Sequence, residues 1–259
     1  MPSFRITIAY DGTDYVGWQR QAVGVSIQAL LEDALRALDG RDVRVTSAGR
    51  TDAGVHALGQ VASFTIERAV SADALLRALN AHLPDAIRVL AAGEAPPTFH
   101  PRFGARAKTY RYRIWNDDVI SPFERRYAWH LTGDLDLGAM RAAAALIEGR
   151  HNFASFQATG ASTQTTEREV FASRFDFHAS PADRQSLLLV YEISGSGFLR
   201  HMVRIIVGSL VEVGRGRRPV EWIAQLLASK DRTAAGPTAP AVGLFLVGVE
   251  YAGALAALS

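Results

Sequence analysis

Residues 47–57 read Ser47-Ala48-Gly49-Arg50-Thr51-Asp52-Ala53-Gly54-Val55-His56-Ala57, and the rest of the chain can be interpreted outward from them. Short β-like runs flank this stretch at 43–46 and 60–66. Its two glycines allow the backbone to adopt φ > 0 or to pass close to a ligand. The pattern predicts a tight loop that presents a carboxylate beside a guanidinium. The alternative is an ordinary turn with a solvated Arg-Asp pair, which contributes little to stability.

The first half of the chain predicts the order β-α-β-β-α-β, the ferredoxin-like unit. Besides the two strands at the loop, strands are expected at Phe4–Tyr10, which alternates with period two, and at Ile87–Leu90. Ser26 and Ser71 are the expected N-caps of the two helices. Gly40 fits just past the end of the first helix.

The second half predicts the same order with one extra helix, although no sequence repeat is detectable. The expected elements are a strand at 109–115, a helix capped by Asp136 and ended by Gly149, a loop at 150–167, strands at 169–177 and 187–193 joined through Pro181-Ala182-Asp183, helices at 198–213 and 219–228, and a strand at 243–251. The fold class is therefore α+β. We expect two tandem ferredoxin-like units, 1–104 with the Asp52 loop and 105–259, in a largely antiparallel sheet with helices on one side.

Composition narrows the class of protein. The chain has 259 residues, 48% hydrophobic, with a net charge of +2 and no cysteine. These values predict a packed core and exclude a disulfide framework and a thiolate metal site. No apolar run is long enough to span a membrane, and the first residues lack a signal-peptide pattern, so a cytoplasmic location is expected.

Several common enzyme motifs are missing from the sequence. There is no P-loop, no G-x-S-x-G and no dinucleotide-binding G-x-G-x-x-G. His56, His100, His151 and His201 do not have the spacing of a zinc site. A nucleobase deaminase would also need cysteine ligands for its zinc.

The octapeptide Gly49-Arg50-Thr51-Asp52-Ala53-Gly54-Val55-His56 resembles the signature of the tRNA pseudouridine synthase A family. The similarity extends over nearly the whole chain, from Ile8-Ala9-Tyr10-Asp11-Gly12 to Val247-Gly248-Val249-Glu250-Tyr251. The resemblance implies a homodimeric enzyme with a central RNA-binding cleft, which isomerises uridine to pseudouridine at positions 38, 39 and 40 of the tRNA anticodon stem-loop. It also implies that Asp52 is the catalytic carboxylate and that neither a cofactor nor a catalytic metal is used.

Two further motifs resemble those of the same family and imply substrate-binding residues. In Ala107-Lys108-Thr109-Tyr110-Arg111-Tyr112, the family's tyrosine packs against the target uracil, whereas most aromatic residues on strands are simply core. In Gly197-Phe198-Leu199-Arg200-His201-Met202-Val203-Arg204, the family's final arginine approaches the catalytic aspartate. For Arg204 the alternative is a solvated helix face.

The segment Phe99-His100-Pro101-Arg102-Phe103 is similar to the family segment that contacts tRNA. Aromatic and basic side chains together offer base stacking and phosphate binding. The alternative is a linker with two buried phenylalanines. By contrast, 158–168 departs from the family pattern, so no role is carried over to Ser162–Thr166.

The expected chemistry breaks the N1–C1′ bond, turns the base and joins C5 to C1′, so one carboxylate is enough. The uridine must first leave the stack, and Arg50 is expected to fill the vacated space. Two other classes remain open from the residues alone. A glycoside hydrolase would usually need a second carboxylate, and a non-catalytic RNA-binding module would not need Asp52.

Overall fold

The computed structural model describes residues 1–160, 163–179 and 187–252. In chain order the elements are β1 (Ser3–Tyr10), α1 (Ile27–Asp39), β2 (Thr46–Ser47), β3 (His56–Thr65), α2 (Ala72–His82), β4 (Ile87–Glu94), β5 (Ala105–Asn116), β6 (Trp129–Leu131), α3 (Leu137–Ala145), β7 (Gly149–Asn152), β8 (Glu167–Ala179), β9 (Leu187–Gly195), α4 (Met202–Gly214), α5 (Trp222–Ser229) and β10 (Leu244–Tyr251). The mixed α and β content and the mostly antiparallel pairing agree with the expected class.

The chain divides into two compact units. Unit 1 comprises Met1–Lys108 together with the segment from Phe245 onward, and unit 2 comprises Thr109–Leu244. The last strand therefore groups with the N-terminal unit. The tandem ferredoxin-like arrangement and the boundary between 104 and 105 stay predictions.

In unit 1, β1 lies between β3 and β4 and pairs antiparallel with both strands. The other edge of β3 is shared by two partners. β2 pairs antiparallel with Ala62 and Ser63, and β10 pairs parallel with His56 and Ala57, directly after the Asp52 loop. β10 thus supports the start of β3.

The core of unit 1 follows from the alternation of β1. Phe4, Ile6 and Ile8 are fully buried. They form the core together with buried residues of the two helices, which include Ile27, Leu31, Leu35, Leu75 and Leu79. Each side chain of this size contributes roughly 1.5–3 kcal/mol when it is buried.

The predicted helix caps in unit 1 are confirmed. Ser26 Oγ accepts from the backbone N–H of Ala29 at 3.2 Å, and Ser71 Oγ accepts from Ala74 at 3.3 Å. Gly40 ends α1 with φ 77°, a left-handed conformation that favours glycine.

The predicted strand at 43–46 is wrong in extent, because only Thr46 belongs to a strand. Val45 uses its backbone groups elsewhere: its N–H donates to Glu32 Oε1 at 3.2 Å, and its carbonyl accepts from Gln28 Nε2 at 3.2 Å. Side chains of α1 therefore replace the sheet ladder at this position.

In unit 2, the strand order is β5, β9, β8 and β7, and β6 pairs parallel with β5. Within this order, β9 and β8 pair antiparallel, and so do β8 and β7. Tyr110, Tyr112 and Ile114 are buried on one face of β5, as the alternation predicted. The Asp136 cap of α3 is confirmed, with Asp136 Oδ1 accepting from Ala139 N–H at 2.8 Å.

Three predictions for unit 2 are wrong at element boundaries. The helix expected from Phe198 begins at Met202, because His201 has φ 61° and cannot continue a helix. The helix expected to end at Gly149 ends at Ala145, and the one expected at Pro219 begins at Trp222. The expected junction Pro181–Asp183 and residue Ser162 lie outside the described residues.

The expected loop at 150–167 also contains regular structure. Gly149–Asn152 forms β7 on β8, and a 3₁₀ turn follows at Ala154–Phe156. Phe153 and Phe156 are fully buried. The polar composition of this edge strand conceals the alternation by which a strand is predicted.

Candidate active site

Asp52 lies in the connection between β2 and β3 and is half-buried, whereas Arg50 is exposed. Thr51 anchors the backbone directly before the aspartate. Its hydroxyl lies 2.8 Å from the Tyr10 hydroxyl in a buried hydrogen bond, and its carbonyl accepts from Trp18 N–H at 3.0 Å. Burial raises the pKa of Tyr10 to about 12, so this phenol is neutral at physiological pH. The loop is therefore held from β1.

The backbone after Asp52 turns back sharply. The Asp52 carbonyl accepts from Val55 N–H at 3.1 Å, and Gly54 has φ 76°, which is the first of the two conformational roles expected for the loop glycines. Gly49 does not need positive φ. Its carbonyl instead accepts from Gln60 Nε2 at 2.8 Å and from Ser47 Oγ at 3.1 Å.

Gly17 makes the closest approach to the loop. Its φ is 99°, and a β-carbon at this position would lie 2.6 Å from the Thr51 carbonyl oxygen and 2.9 Å from the Asp52 carbonyl carbon. Only glycine fits both constraints. The segment that contains Gly17 and Trp18 is thus packed directly on the Asp52 backbone.

His56 connects the end of the loop to two strands. Its Nδ1 accepts from Gly12 N–H at 3.1 Å and lies 3.1 Å from Asp11 Oδ1. Its ring stacks on Phe245 of β10 with 4.6 Å between the centroids. The histidine is 1% exposed, so it is a buried structural link between the loop, the turn after β1 and the last strand.

The segment 99–103 forms a compact aromatic and basic surface in unit 1. His100 Nδ1 accepts the backbone N–H groups of Arg102 and Phe103 at 3.1 and 3.3 Å. The His100 and Phe103 rings lie 4.3 Å apart, and the Arg102 guanidinium lies 5.7 Å from the Phe103 ring. Phe103 is 77% exposed. The alternative of two buried phenylalanines is therefore wrong.

Two residues outside this segment, Arg5 and Tyr251, contact it, and neither was among the site residues predicted from the sequence. Arg5 is buried, with its guanidinium 5.8 Å from the rings of both Phe99 and Tyr251. The Tyr251 hydroxyl donates to the Pro101 carbonyl at 2.7 Å. Burial lowers the pKa of Arg5 and raises that of Tyr251. Arg5 alternates with the buried Phe4 and Ile6, so the pattern of β1 alone does not predict its burial, which distant segments of the chain cause.

Lys108 is a third residue that sequence reasoning missed. A β-carbon at Gly49 would lie 3.6 Å from Lys108 Nζ, so this ammonium group lies beside the loop. The available signal was its place in the same motif as Tyr110, two residues away.

Tyr110 and Arg204 belong to unit 2, whereas Asp52, Arg50 and 99–103 belong to unit 1. Tyr110 is 8% exposed, and its ring meets Phe198 edge to face at 5.1 Å. Arg204 is half-buried, and its Nε donates to the Ala239 carbonyl at 2.7 Å. The expected approach of Arg204 to Asp52 stays a prediction. Arg200 lies before α4, because the helix begins at Met202.

Two arginines of β5 form internal ion pairs. Arg111 pairs with Glu192 at 3.0 Å, and Arg113 pairs with Glu124 at 2.8 Å. In the described part of the chain, no three histidine or carboxylate side chains group together as metal ligands. No helix within the same residues has the length and apolar content needed to cross a bilayer.

Residues 6–104 and 143–252 match the family model described as tRNA pseudouridine synthase. The tRNA pseudouridine synthase A of Pelobacter propionicus is 47% identical over 97% of this chain and 100% of the relative. That of Myxococcus xanthus is 45% identical over 97% and 92%, respectively. A crystal structure of an unknown protein from Galdieria sulphuraria covers 85% of this chain and 91% of its own, but its TM-score of 0.23 at 13% identity is too low to support an argument.

Proposed function

The chain belongs to the tRNA pseudouridine synthase family of isomerases, and on that premise we propose that Asp52 is the carboxylate that carries the reaction. We further propose that the substrate uridines are positions 38, 39 and 40 of the tRNA anticodon stem-loop. The observation that supports the role of Asp52 is its half-buried position in a loop anchored on both sides. A catalytic group must be held in place before its substrate arrives.

The reaction is an isomerisation and needs no other reactant. The N1–C1′ bond breaks, the base turns, the C5–C1′ bond forms, and the proton leaves C5 while N1 gains one. One carboxylate is enough, acting as a nucleophile on the ribose or the base or as a base toward the sugar. The uridine must leave the stack before any of these steps.

The other residues of the proposed site have separate roles. Arg50, exposed and two residues before Asp52, fills the space that the flipped uridine leaves. Tyr110 packs against the uracil, and Arg204 contributes a cation to substrate binding. The surface formed by Phe99, His100, Pro101, Arg102 and Phe103 stacks on unpaired bases and contacts phosphates.

The proposal extends to assembly and architecture. The protein acts as a homodimer in the cytoplasm, its two ferredoxin-like halves line a central cleft for tRNA, and it uses neither a cofactor nor a metal. The element order of unit 1, β1-α1-β2-β3-α2-β4, supports the ferredoxin-like interpretation for the first half.

The experiment that tests the role of Asp52 is substitution by asparagine, which keeps the shape but can act neither as nucleophile nor as base. Purified Asp52→Asn is incubated with unmodified tRNA, and pseudouridine is mapped by position. We expect turnover to fall by more than about a thousandfold while tRNA binding is retained.

Asp42→Asn is the matched control, because the Asp42 side chain is almost fully exposed in the same unit. Its turnover should equal that of wild type. Activity of Asp52→Asn within tenfold of wild type would remove Asp52 from the reaction. Release of free base would indicate glycoside hydrolysis, and tRNA binding without product in wild type would indicate a binding module.

A further inference from the structure

A polar pocket lies on unit 1 beside the 99–103 surface. Its volume is about 300 Å³, at the lower end of the range for ligand pockets, roughly 300–1,000 Å³. Its lining includes Ser3, Arg44, Thr46, Ser63, Thr65 and Phe99.

The strand register explains why four hydroxyl groups converge here. Ser3 pairs with Thr65 across β1 and β3, and Thr46 pairs with Ser63 across β2 and β3. Cross-strand partners project from the same face, and so do residues two apart along a strand. The four hydroxyls therefore form one patch, in which Ser3 Oγ and Thr65 Oγ1 lie 3.0 Å apart.

The charge of the pocket is positive. Arg44 is exposed, two residues before Thr46, and within the described ranges of the chain no ion pair to its guanidinium is seen. Arg5 lies on the same sheet face, since it pairs with Ser63. No carboxylate is among the lining residues. Glu94 pairs with Phe4, so its side chain projects to the opposite face.

The pocket adjoins a surface suited to bases. Phe99 lines the pocket and begins the segment in which the exposed Phe103 ring packs at a tilt against the His100 ring. Hydroxyl and guanidinium donors suit a phosphate, and the aromatic segment that begins at Phe99 suits a stacked base. RNA presents both groups in neighbouring positions.

We propose that this pocket is a subsite for one phosphodiester group of the RNA backbone, held by the Arg44 guanidinium and by hydroxyls of Ser3, Thr46, Ser63 and Thr65. The inference rests on the proposed function in that the RNA is the tRNA substrate. It assigns to Arg44 a part in tRNA binding that is separate from the chemistry at Asp52.

The test is tRNA binding by Arg44→Ala at several salt concentrations, followed by fluorescence anisotropy. Loss of one phosphate contact should reduce the slope of log affinity against log salt by about 0.7–0.9. We expect affinity at moderate salt to fall about tenfold, as for one lost charge-assisted hydrogen-bonding group. Arg44→Lys should restore the slope, because it keeps the charge.

Arg77→Ala is the matched control, since Arg77 is an exposed arginine on α2 in the same unit. Its salt slope and affinity should equal those of wild type. Thr46→Val, which removes one hydroxyl with little change of shape, should weaken binding severalfold without changing the slope. Equal values for Arg44→Ala and Arg77→Ala, with both proteins folded by thermal unfolding, would overturn the inference.

A second experiment distinguishes a phosphate group of RNA from free inorganic phosphate as the ligand of the pocket. Amide NMR signals of Thr46 and Ser63 should shift on addition of tRNA and not on addition of millimolar inorganic phosphate. Saturation by inorganic phosphate alone would make the free anion the ligand and would contradict an RNA subsite. Pseudouridine formation, measured in parallel, separates the two proposals, because the subsite can fail while the enzyme remains active.

Discussion

At the scale of single residues, the position of Asp52 depends on a hydrogen bond between two other residues, Tyr10 and Thr51. The buried contact of 2.8 Å between the Tyr10 and Thr51 hydroxyls ties the residue before Asp52 to β1. A catalytic group that drifts by an ångström loses much of its effect. The side chains that position Asp52 are therefore expected to affect turnover without touching the substrate.

Thr51→Val and Tyr10→Phe each remove one partner of this hydrogen bond. We expect each to lower the free energy of unfolding by about 1–2 kcal/mol, because a buried hydroxyl loses its partner, and to lower kcat about tenfold. Denaturant unfolding and single-turnover kinetics measure the two effects. The double variant should cost less than the sum of the single ones. Strict additivity would show that the two hydroxyls act independently.

Tyr110 has both a core and a proposed substrate role, and two substitutions separate them. Tyr110→Phe keeps the ring against Phe198 and loses only the hydroxyl, so we expect kcat to fall more than tRNA affinity. Tyr110→Ala removes the ring and should lower kcat, tRNA affinity and stability together, the last by about 3–5 kcal/mol. Wild-type turnover in Tyr110→Ala would leave only the packing role.

At the scale of elements, the two N-caps of unit 1 provide a matched pair. Ser26 is 1% exposed, whereas Ser71 is exposed, and both accept from the third residue of their helix. Ser26→Ala should lower the free energy of unfolding by about 1–2 kcal/mol and Ser71→Ala by about 0.5–1 kcal/mol, because water can replace only the exposed cap. Denaturant unfolding of the two variants measures the difference. Equal costs would contradict the role assigned to burial.

Elements with a local signal were the ones that the sequence predicted. The capped helices α1, α2 and α3 and the alternating strands β1 and β5 have caps or a period that can be read within ten residues. Elements set by distant partners were missed or misplaced. Most of the run Val43–Thr46 is not part of the sheet, because side chains of α1 hydrogen-bond to the backbone of Val45. The residues of β7 form a strand because they pair with β8.

The residues of the candidate site also divide into those that a local motif predicts and those that depend on distant segments of the chain. Asp52 and the glycine turn follow from one continuous motif, so the sequence is sufficient to nominate them. Arg5 and the pocket beside it could not be predicted, because they need β1, β2 and β3 in register and the chain near Phe99 and Tyr251 folded over them. Such positions are far apart along the chain, and no local pattern relates them.

At the scale of the whole molecule, buried phenols predict a loss of stability in alkali. The pKa of Tyr10 is raised by burial from about 10 to about 12, and burial also raises the pKa values of Tyr112, Tyr191 and Tyr251. A folded-state pKa above the unfolded one contributes stability that is complete below pH 10. This contribution is lost as pH rises to about 12, because only the unfolded chain releases its proton.

We expect Tyr10 alone to account for about 2–3 kcal/mol of this loss between pH 10 and pH 12. Denaturant unfolding at pH 8, 10, 11 and 12 measures the fall. Tyr10→Phe is less stable at pH 8 but should lose less on going to pH 12, since it has no proton to release there. An identical pH dependence in wild type and Tyr10→Phe would contradict the assignment.

The parallel pairing of β10 with β3 has a consequence for how the protein is made. His56 and Ala57, which follow the Asp52 loop, cannot form their strand pairing until Phe245 and Leu246 have been synthesised. At the usual synthesis rate of about 5–20 residues per second, the ribosome needs about 7–27 s to produce Thr109–Leu244 in between. For that time the nascent N-terminal unit exposes the edge of β3 at His56 and Ala57, whereas β2 covers the same edge at Ala62 and Ser63. Asp52 therefore reaches its final surroundings only after translation has passed Leu246, so a prematurely terminated chain remains inactive and its unpaired strand edge marks it for aggregation or removal.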